Sequence, residues 1–333
     1  MNKLKSKKTL ALLLVIVLAA LVPTILSGQI YLMLVCCYAL IYLVAVSGFD
    51  VLVGFSGQMS MGHAAYFCLG AYGSALLRTY TGLPVFFTMI IATVVTTIIG
   101  SIVAWPTTRL VAHFMSLATI AFGNIVFAIV NVSPGRITGD ANGYHTESIS
   151  IFGFAINDYY KFYYFALVCV IIFLVFKQNI LKSRAGRAML AVRDNHQAAN
   201  GMGVNIRFYR IVAFAISTFY AAYAGAMYAH LVQYISPDMF RQTLSVMFLT
   251  MLLFGGTCSV LGPAIGVAAI TVLNESLRSA SSYKMLIYGI VLLAIILVFP
   301  GGLMEVFEQA RAWIKSRILG RKAKADGGLG GGA

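Results

Sequence analysis

Long apolar runs alternate with short polar connections along almost the whole chain. They fall at residues 9–27, 30–53, 60–79, 84–105, 110–131, 159–177, 209–233, 241–257, 261–278 and 285–303. A hydrocarbon layer about 30 Å thick takes about 20 apolar residues as a helix, so the pattern predicts an all-α polytopic transmembrane helical bundle of about 8–10 spans. Two of the runs also suit a re-entrant pair, which leaves the sidedness of the ends unchanged. Three connections are longer. Residues 132–161 carry Pro134, Gly135, Gly139, Asn142 and Gly143; residues 177–210 are basic; residues 326–333 are Gly-rich and read as a flexible linker without a functional part.

Composition agrees with this reading. Of 333 residues, 60% are hydrophobic and 10% charged, with a mean hydropathy of +0.88. A globular surface needs about 25% charged residues, which excludes a soluble enzyme and a disordered chain. The net charge of +14 does not point to nucleic acid, because the basic residues sit between apolar runs and not on a soluble face interleaved with aromatic rings. Their distribution reports topology. With ten crossings and the N-terminus inside, eighteen of the 24 basic residues face the cytoplasm, and only Arg78, Arg136, Lys161, Arg241, Arg278 and Lys284 face outward. Both termini are therefore expected to be cytoplasmic. The start of the chain looks like a signal peptide but lacks a small-x-small cleavage site, so an uncleaved first helix is expected. The membrane domain spans 1–305, with a cytoplasmic loop at 177–210, and a basic tail follows at 306–333. The five cysteines, Cys36, Cys37, Cys68, Cys169 and Cys258, lie in or beside apolar runs without metal spacing and read as small buried hydrophobes.

Two segments break the apolar pattern. From Ser47 to Gly73, glycines recur at 48, 54, 57, 62, 70 and 73, with Asp50, Ser56, Gln58, Ser60 and His63 embedded among them. Irregular backbone survives in a membrane only where protein packs on it or a watery cavity adjoins it, so the stretch suits a discontinuous helix beside a transport path. Close helix packing through small residues is the plainer alternative. Asp50 is placed near the cytoplasmic end of its span and expected to be half-solvated, and His63 to be a hydrogen-bonded core residue. A second interruption runs from Phe254 to Gly266 through Gly255, Gly256 and Pro263. Interrupted segments in two halves of a chain point to a midplane site.

The basic loop contains a short predicted helix from Ser183 to Asn200, with Ser183 as N-cap and Gly201 and Gly203 as stops. Ala188, Ala191 and Ala198 give it a small apolar face, and Arg184, Arg187 and Arg193 occupy others. Such a face admits close approach by another surface; a loop that only sets topology is the alternative.

Here the residues resemble a known family. Gly186-Arg187-Ala188-Met189-Leu190-Ala191-Val192-Arg193-Asp194-Asn195, then Ala198-Ala199 and Gly201-Met202-Gly203-Val204-Asn205, is similar to the cytoplasmic coupling motif of LivM-type permeases of branched-chain amino acid ABC importers. Val53 to Tyr72, Ser116 to Phe122, Ser236-Pro237-Asp238, Phe254 to Gly266 and Phe299 to Leu303 resemble that family's other signatures, in order. The likeness covers residues 30–305. Two departures stand out: Asp50 where the family usually has Asn, and Thr138 to Gly143 where it has a TGG-x-G pattern.

The resemblance implies a non-catalytic permease of the bacterial inner membrane that carries Leu, Ile or Val inward by alternating access. It implies ATPase-coupling residues Gly186, Arg187, Ala188, Ala191, Arg193, Asp194, Ala198 and Gly203, and a translocation path along Gly57, Gln58, Ser60, His63, Thr138, Gly139, Asn142, Gly143, Gly255 and Gly256. Its partners would be a homologous second permease subunit, two ABC ATPase subunits that hold ATP and Mg, and a periplasmic substrate-binding protein. The chain would bind no cofactor or metal itself, and it contains no GxxxxGK[ST] phosphate loop. Urea, another small amide or another amino acid remains an alternative substrate. An ATP-independent secondary transporter is a further alternative, but it would carry several intramembrane ionisable residues, whereas Asp50 is nearly alone. A membrane enzyme is disfavoured because His63, His113, His145, His196 and His230 are dispersed without carboxylates at ligand spacing.

Overall fold

The apolar runs become helices of unequal length that pack around one central strut. The computed structural model describes residues 22–24, 28–110, 112–133, 138–139, 142–151, 154–155 and 158–277, with scattered positions between 283 and 297. Most of the 9–27 run, part of the 285–303 run and the 306–333 tail lie outside the described residues.

In chain order, α1 (Ile30–Asp50) continues into a π-helical turn at Val51–Phe55, and α2 (His63–Thr81), α3 (Val85–Thr107) and α4 (Ala112–Val132) follow. The long connection after α4 holds β1 (Tyr144–His145), β2 (Ser150–Ile151) and β3 (Phe154–Ala155). Next come α5 (Tyr159–Lys182), the short α6 (Arg184–Asp194) and α7 (His196–Gly201), and α8 (Ile206–Val232). β4 (Tyr234–Ile235) and a 3-10 turn (Pro237–Phe240) lead into α9 (Gln242–Gly255) and α10 (Gly262–Ser276). β1 pairs antiparallel with β4, Tyr144 opposite Ile235, and β2 pairs with β3.

Among the described residues five helices are long and apolar enough to cross a membrane: Ile30–Phe55, Val85–Thr107, His113–Val132, Tyr159–Lys182 and Ile206–Val232. Together with the shorter α2, α9 and α10 they form a helical membrane bundle with interrupted elements. The runs 241–257 and 261–278 read as crossings, but α9 and α10 have 14 and 15 residues. At 1.5 Å per residue each is about 21–23 Å long, short of a hydrocarbon layer. They form a tight hairpin in which Gly255 meets the backbone of Gly262 and Gly266.

The strut is α8, in which 67% of the apolar window is buried, against 22–39% for the other four long helices. Without a hydrophobic drive between helices in lipid, close approach supplies the packing energy. Gly225 on α8 sits against the carbonyl of Phe67, and Gly70 on α2 against that of Ala222, so α2 and α8 touch backbone to backbone. Phe67 also meets Tyr228, Phe240 and Phe248 at ring centroids of 5.5, 6.0 and 5.6 Å, and such pairs contribute about 0.5–1.5 kcal/mol each beyond area burial.

Polar contacts gather at the two ends of the bundle. At one, Arg78 pairs with Glu147 at 2.8 Å, and the Gly28 amide donates to the Tyr160 hydroxyl. At the other, Arg207 donates to the Trp105 carbonyl and lies over its ring at 4.7 Å, while Arg210 donates to the Thr108 carbonyl. The second end carries α6 and α7 and is the cytoplasmic side by its basic residues.

Candidate coupling junction and solute path

Residues 56–62 leave helical geometry at the cytoplasmic end of α1 and climb back into the bundle to start α2. Gly57 turns the chain with φ +67°, a left-handed conformation that glycine adopts freely. The depth of the climb follows from α8. His63, the first residue of α2, hydrogen-bonds through Nε2 to Ser217 Oγ at 2.8 Å. Ser217 lies about 16 Å along a helix about 40 Å long, near the membrane middle.

Backbone groups at such depth need partners, and side chains from two helices, α4 and α9, supply them. Thr119 Oγ1 accepts from the Met61 amide at 3.0 Å, Ser245 Oγ accepts from the Ala64 amide at 2.9 Å, and Gln242 Nε2 donates to the Met61 carbonyl at 2.7 Å. Gln58 Nε2 donates to Ser56 Oγ and to the Arg210 carbonyl. Three predicted path residues keep a buried polar atom without a protein partner among the described residues: Gln58 Oε1, Ser60 Oγ and His63 Nδ1. Each would cost about 1–3 kcal/mol if left dry, so the segment has places for water or a polar solute. His63 is the buried, hydrogen-bonded residue expected of it, with its ring 4.6 Å from that of Phe49.

Asp50 departs from expectation. It is fully buried, not half-solvated, and pairs at 2.7 Å with Lys177, which is also fully buried. By sequence Lys177 opens the basic loop, whereas in the structure it lies inside α5, and its partner is 127 residues away. Lys177 Nζ also donates to the Ser259 carbonyl at 3.1 Å, and Asp50 Oδ1 accepts from the Cys258 amide at 2.9 Å. The ion pair thus joins the end of α1, α5 and the turn between α9 and α10. The two interrupted segments meet here: a β-carbon on Gly54 would run into Asp50 Oδ1 and the Cys258 amide.

The cytoplasmic helix bears on this junction. Ser183 caps α6 by accepting from the Gly186 amide, as predicted. The single helix expected to Asn200 is two, because Asn195 leaves helical geometry and its Oδ1 caps α7 by accepting from the Gln197 and Ala198 amides. Gly186, Met189, Val192 and Ala199 face inward. Arg187, Ala191 and Asp194 lie exposed at helical spacing on α6 and Ala198 lies exposed on α7, with Ala188 half-buried beside them and Gly203, at φ +79°, in the exposed turn beyond. Arg193 does not share this outer face. Its guanidinium donates to the Gly54 carbonyl and to Cys258 Sγ, one group from each interrupted segment, and its stem packs on Gly57. Met202 was missed as a candidate: it projects from this surface 85% exposed.

The predicted path residues are not all brought together. Gly57 to His63 form the climbing segment, and Gly255 and Gly256 lie in the turn at the junction. Thr138, Gly139, Asn142 and Gly143 lie instead at the outer end: Thr138 Oγ1 donates to the Val130 carbonyl, the Asn142 carbonyl accepts from the Tyr234 hydroxyl, and Gly139 and Gly143 turn with φ +82° and +80° beside β4.

A helical bundle with interrupted elements, polar atoms along one of them and a cytoplasmic helix keyed to both defines a multi-pass membrane permease. The chain belongs to the branched-chain amino acid transport system / permease component family, whose model matches residues 30–296. It is 27% identical over 291 residues, covering 80% of this chain and 68% of the relative, to the high-affinity branched-chain amino acid transport system permease protein LivM of Escherichia coli. The autoinducer 2 import system permease protein LsrC of Photorhabdus luminescens is 30% identical over 152 residues, 43% of this chain and 45% of that protein. Among solved structures, PsaBC from Streptococcus pneumoniae in complex with Fab aligns with a TM-score of 0.46 at 12% identity, over 83% of this chain and 94% of that one. As a member of this family the chain is a non-catalytic inner-membrane component of a transport system.

Proposed function

We propose that this chain imports branched-chain amino acids (Leu, Ile or Val) from periplasm to cytoplasm by alternating access, driven by ATP bound with Mg on two partner ATPase subunits. A homologous second permease subunit and a periplasmic binding protein complete the assembly. The supporting observation is Arg193, which links the cytoplasmic helix to the Gly54 carbonyl and to Cys258, so that a push on α6 reaches both interrupted segments at once. The LivM likeness over 80% of the chain favours an aliphatic amino acid, whereas the LsrC likeness covers 43% of it. Arg187, Ala191, Asp194, Ala198 and Met202 would meet the ATPase, with Arg193 behind them as the transmitting residue.

The experiment is reconstitution of the four kinds of subunit in vesicles with leucine-loaded binding protein. ATP-dependent leucine uptake is expected. Arg193→Ala should leave the ATPase bound and hydrolysing ATP, while uptake per ATP falls at least tenfold. Uptake without any ATPase, or stimulation of hydrolysis by urea-loaded and never by leucine-loaded binding protein, would overturn the reading.

A further inference from the structure

A cavity of about 320 Å³ opens where the first turns of α2 and α9 face the middle of α4. Its depth is fixed from two sides. Ala64 is tied to Ser245 one residue beyond His63, which stands near the membrane middle. Asn124 lies about 18 Å along α4, a helix about 31 Å long. The volume is of the size that small-molecule sites have.

The lining is mixed. Ala64, Ala65, Phe127 and Phe240 provide an apolar wall, and Asn124 and Arg241 provide polar groups. The Arg241 guanidinium lies 5.4 Å over the Phe127 ring and donates twice to Asp238 Oδ1, at 2.8 and 3.0 Å. Phe240, next to Arg241, packs on Phe67 and Tyr72 of α2 and on Tyr228 of α8, which sets this pair toward the outer end of the bundle. Yet both charged side chains are more than half exposed on the chain, 62% and 69%. Charges on the flank of a membrane bundle face water or protein, because exposure to acyl chains costs several kcal/mol. Arg241 lines the cavity beside Asn124, and Asp238 joins it through its ion pair with Arg241.

We propose that this cavity is a subsite for a zwitterionic amino acid with an apolar side chain. Arg241 holds the carboxylate, helped by the N-terminal turn of α9. Asp238 holds the ammonium group, and the aliphatic side chain lies on Phe127, Phe240 and Ala64. The adjacent opposite charges of Asp238 and Arg241 match a zwitterion and offer little to a neutral amide such as urea. The proposal rests on the import reading above and adds the place where the solute pauses.

The test uses the full complex in detergent, nucleotide-free and vanadate-trapped, carrying Asn124→Cys. A charged methanethiosulfonate reagent is added, and modification at position 124 is read by peptide mass spectrometry, which separates it from the native cysteines. Expected are ready labelling, a rate at least tenfold lower in saturating leucine, no change in leucinamide or urea, and loss of the leucine effect when Arg241→Gln is added. Thr243→Cys serves the same assay if the first variant does not assemble. Absence of labelling in both states, or labelling that leucine leaves unchanged, overturns the subsite. Leucine uptake by the wild-type complex is followed in parallel: its absence overturns the import reading, whereas its presence with no leucine protection overturns the subsite alone.

Discussion

The buried ion pair between Asp50 and Lys177 gives a prediction with a definite size. At 2.7 Å, an effective permittivity of about 20 corresponds to an attraction of about 6 kcal/mol, and desolvation of the two ions offsets much of it. Removing one partner leaves the other charge buried without compensation, which costs about 3–5 kcal/mol. Lys177→Met is expected to cost that much, since among the described residues Asp50 would keep the Cys258 amide as its hydrogen-bond donor and the more distant Arg193 as its nearest cation. Asp50→Asn should cost a similar amount, because Lys177 would keep only the Ser259 carbonyl. The double variant should come within about 1 kcal/mol of wild type: the Asn oxygen still accepts from Cys258, and the Met side chain fills the space of the Lys stem. The coupling energy is then at least about 5 kcal/mol, read by far-UV circular dichroism during unfolding from dodecyl maltoside into dodecyl sulfate. Molar salt should leave it unchanged, because no solvent reaches the pair. Single variants costing less than about 1 kcal/mol, or a double variant equal to their sum, would refute the argument that the pair acts as one neutral unit.

Other consequences are more local. Met202→Asp places a charge on the most exposed large apolar side chain among the described residues; co-purification of the ATPase should fall at least tenfold, about 1.4 kcal/mol, with an unchanged dichroism spectrum. Gly225→Val would drive its side chain into the Phe67 carbonyl, forcing α2 and α8 apart at a cost of about 1–3 kcal/mol or more, seen as a lower unfolding midpoint and poor recovery from the membrane. Asn195→Ala removes both capping bonds of α7, worth about 1 kcal/mol, and hydrogen exchange should quicken at the Gln197 and Ala198 amides while α8 stays protected.

The bundle was legible in the sequence wherever a feature is local. The apolar runs set the long helices, Ser183 announced the start of α6, and the glycines around position 57 marked real irregular backbone. What was not legible depends on contacts distant in the chain. Lys177 ends an apolar run and reads as a loop charge until Asp50, 127 residues earlier, is seen beside it. Arg193 looked like its neighbour Arg187, because helical spacing alone cannot say which arginine meets Gly54. The split at Asn195 had a local signal, an Asn followed by residues whose amides it caps, hidden by the helical propensity on either side. Thr138 to Gly143 departs from the family's TGG-x-G pattern, and nothing in its spacing places it with the path residues or apart from them.

The charges and the backbone breaks coincide for one physical reason. Leaving helical geometry frees amides and carbonyls that a membrane does not hydrate, and each charged group at the junction holds one of them: Asp50 the Cys258 amide, Lys177 the Ser259 carbonyl, Arg193 the Gly54 carbonyl. Asp50 and Lys177 cancel, so the unbalanced charge is Arg193, and it is the member that remains partly exposed toward the cytoplasm. Moving α6 away from the bundle would strip the Gly54 carbonyl of its charged donor and strand no charge in lipid, because Arg193 would follow α6 into water. Pulling apart Asp50 and Lys177 would strand two charges. The cheaper motion is therefore one in which α1, α5 and the α9–α10 turn stay clamped as a unit, and the cytoplasmic helices turn against that unit through Arg193.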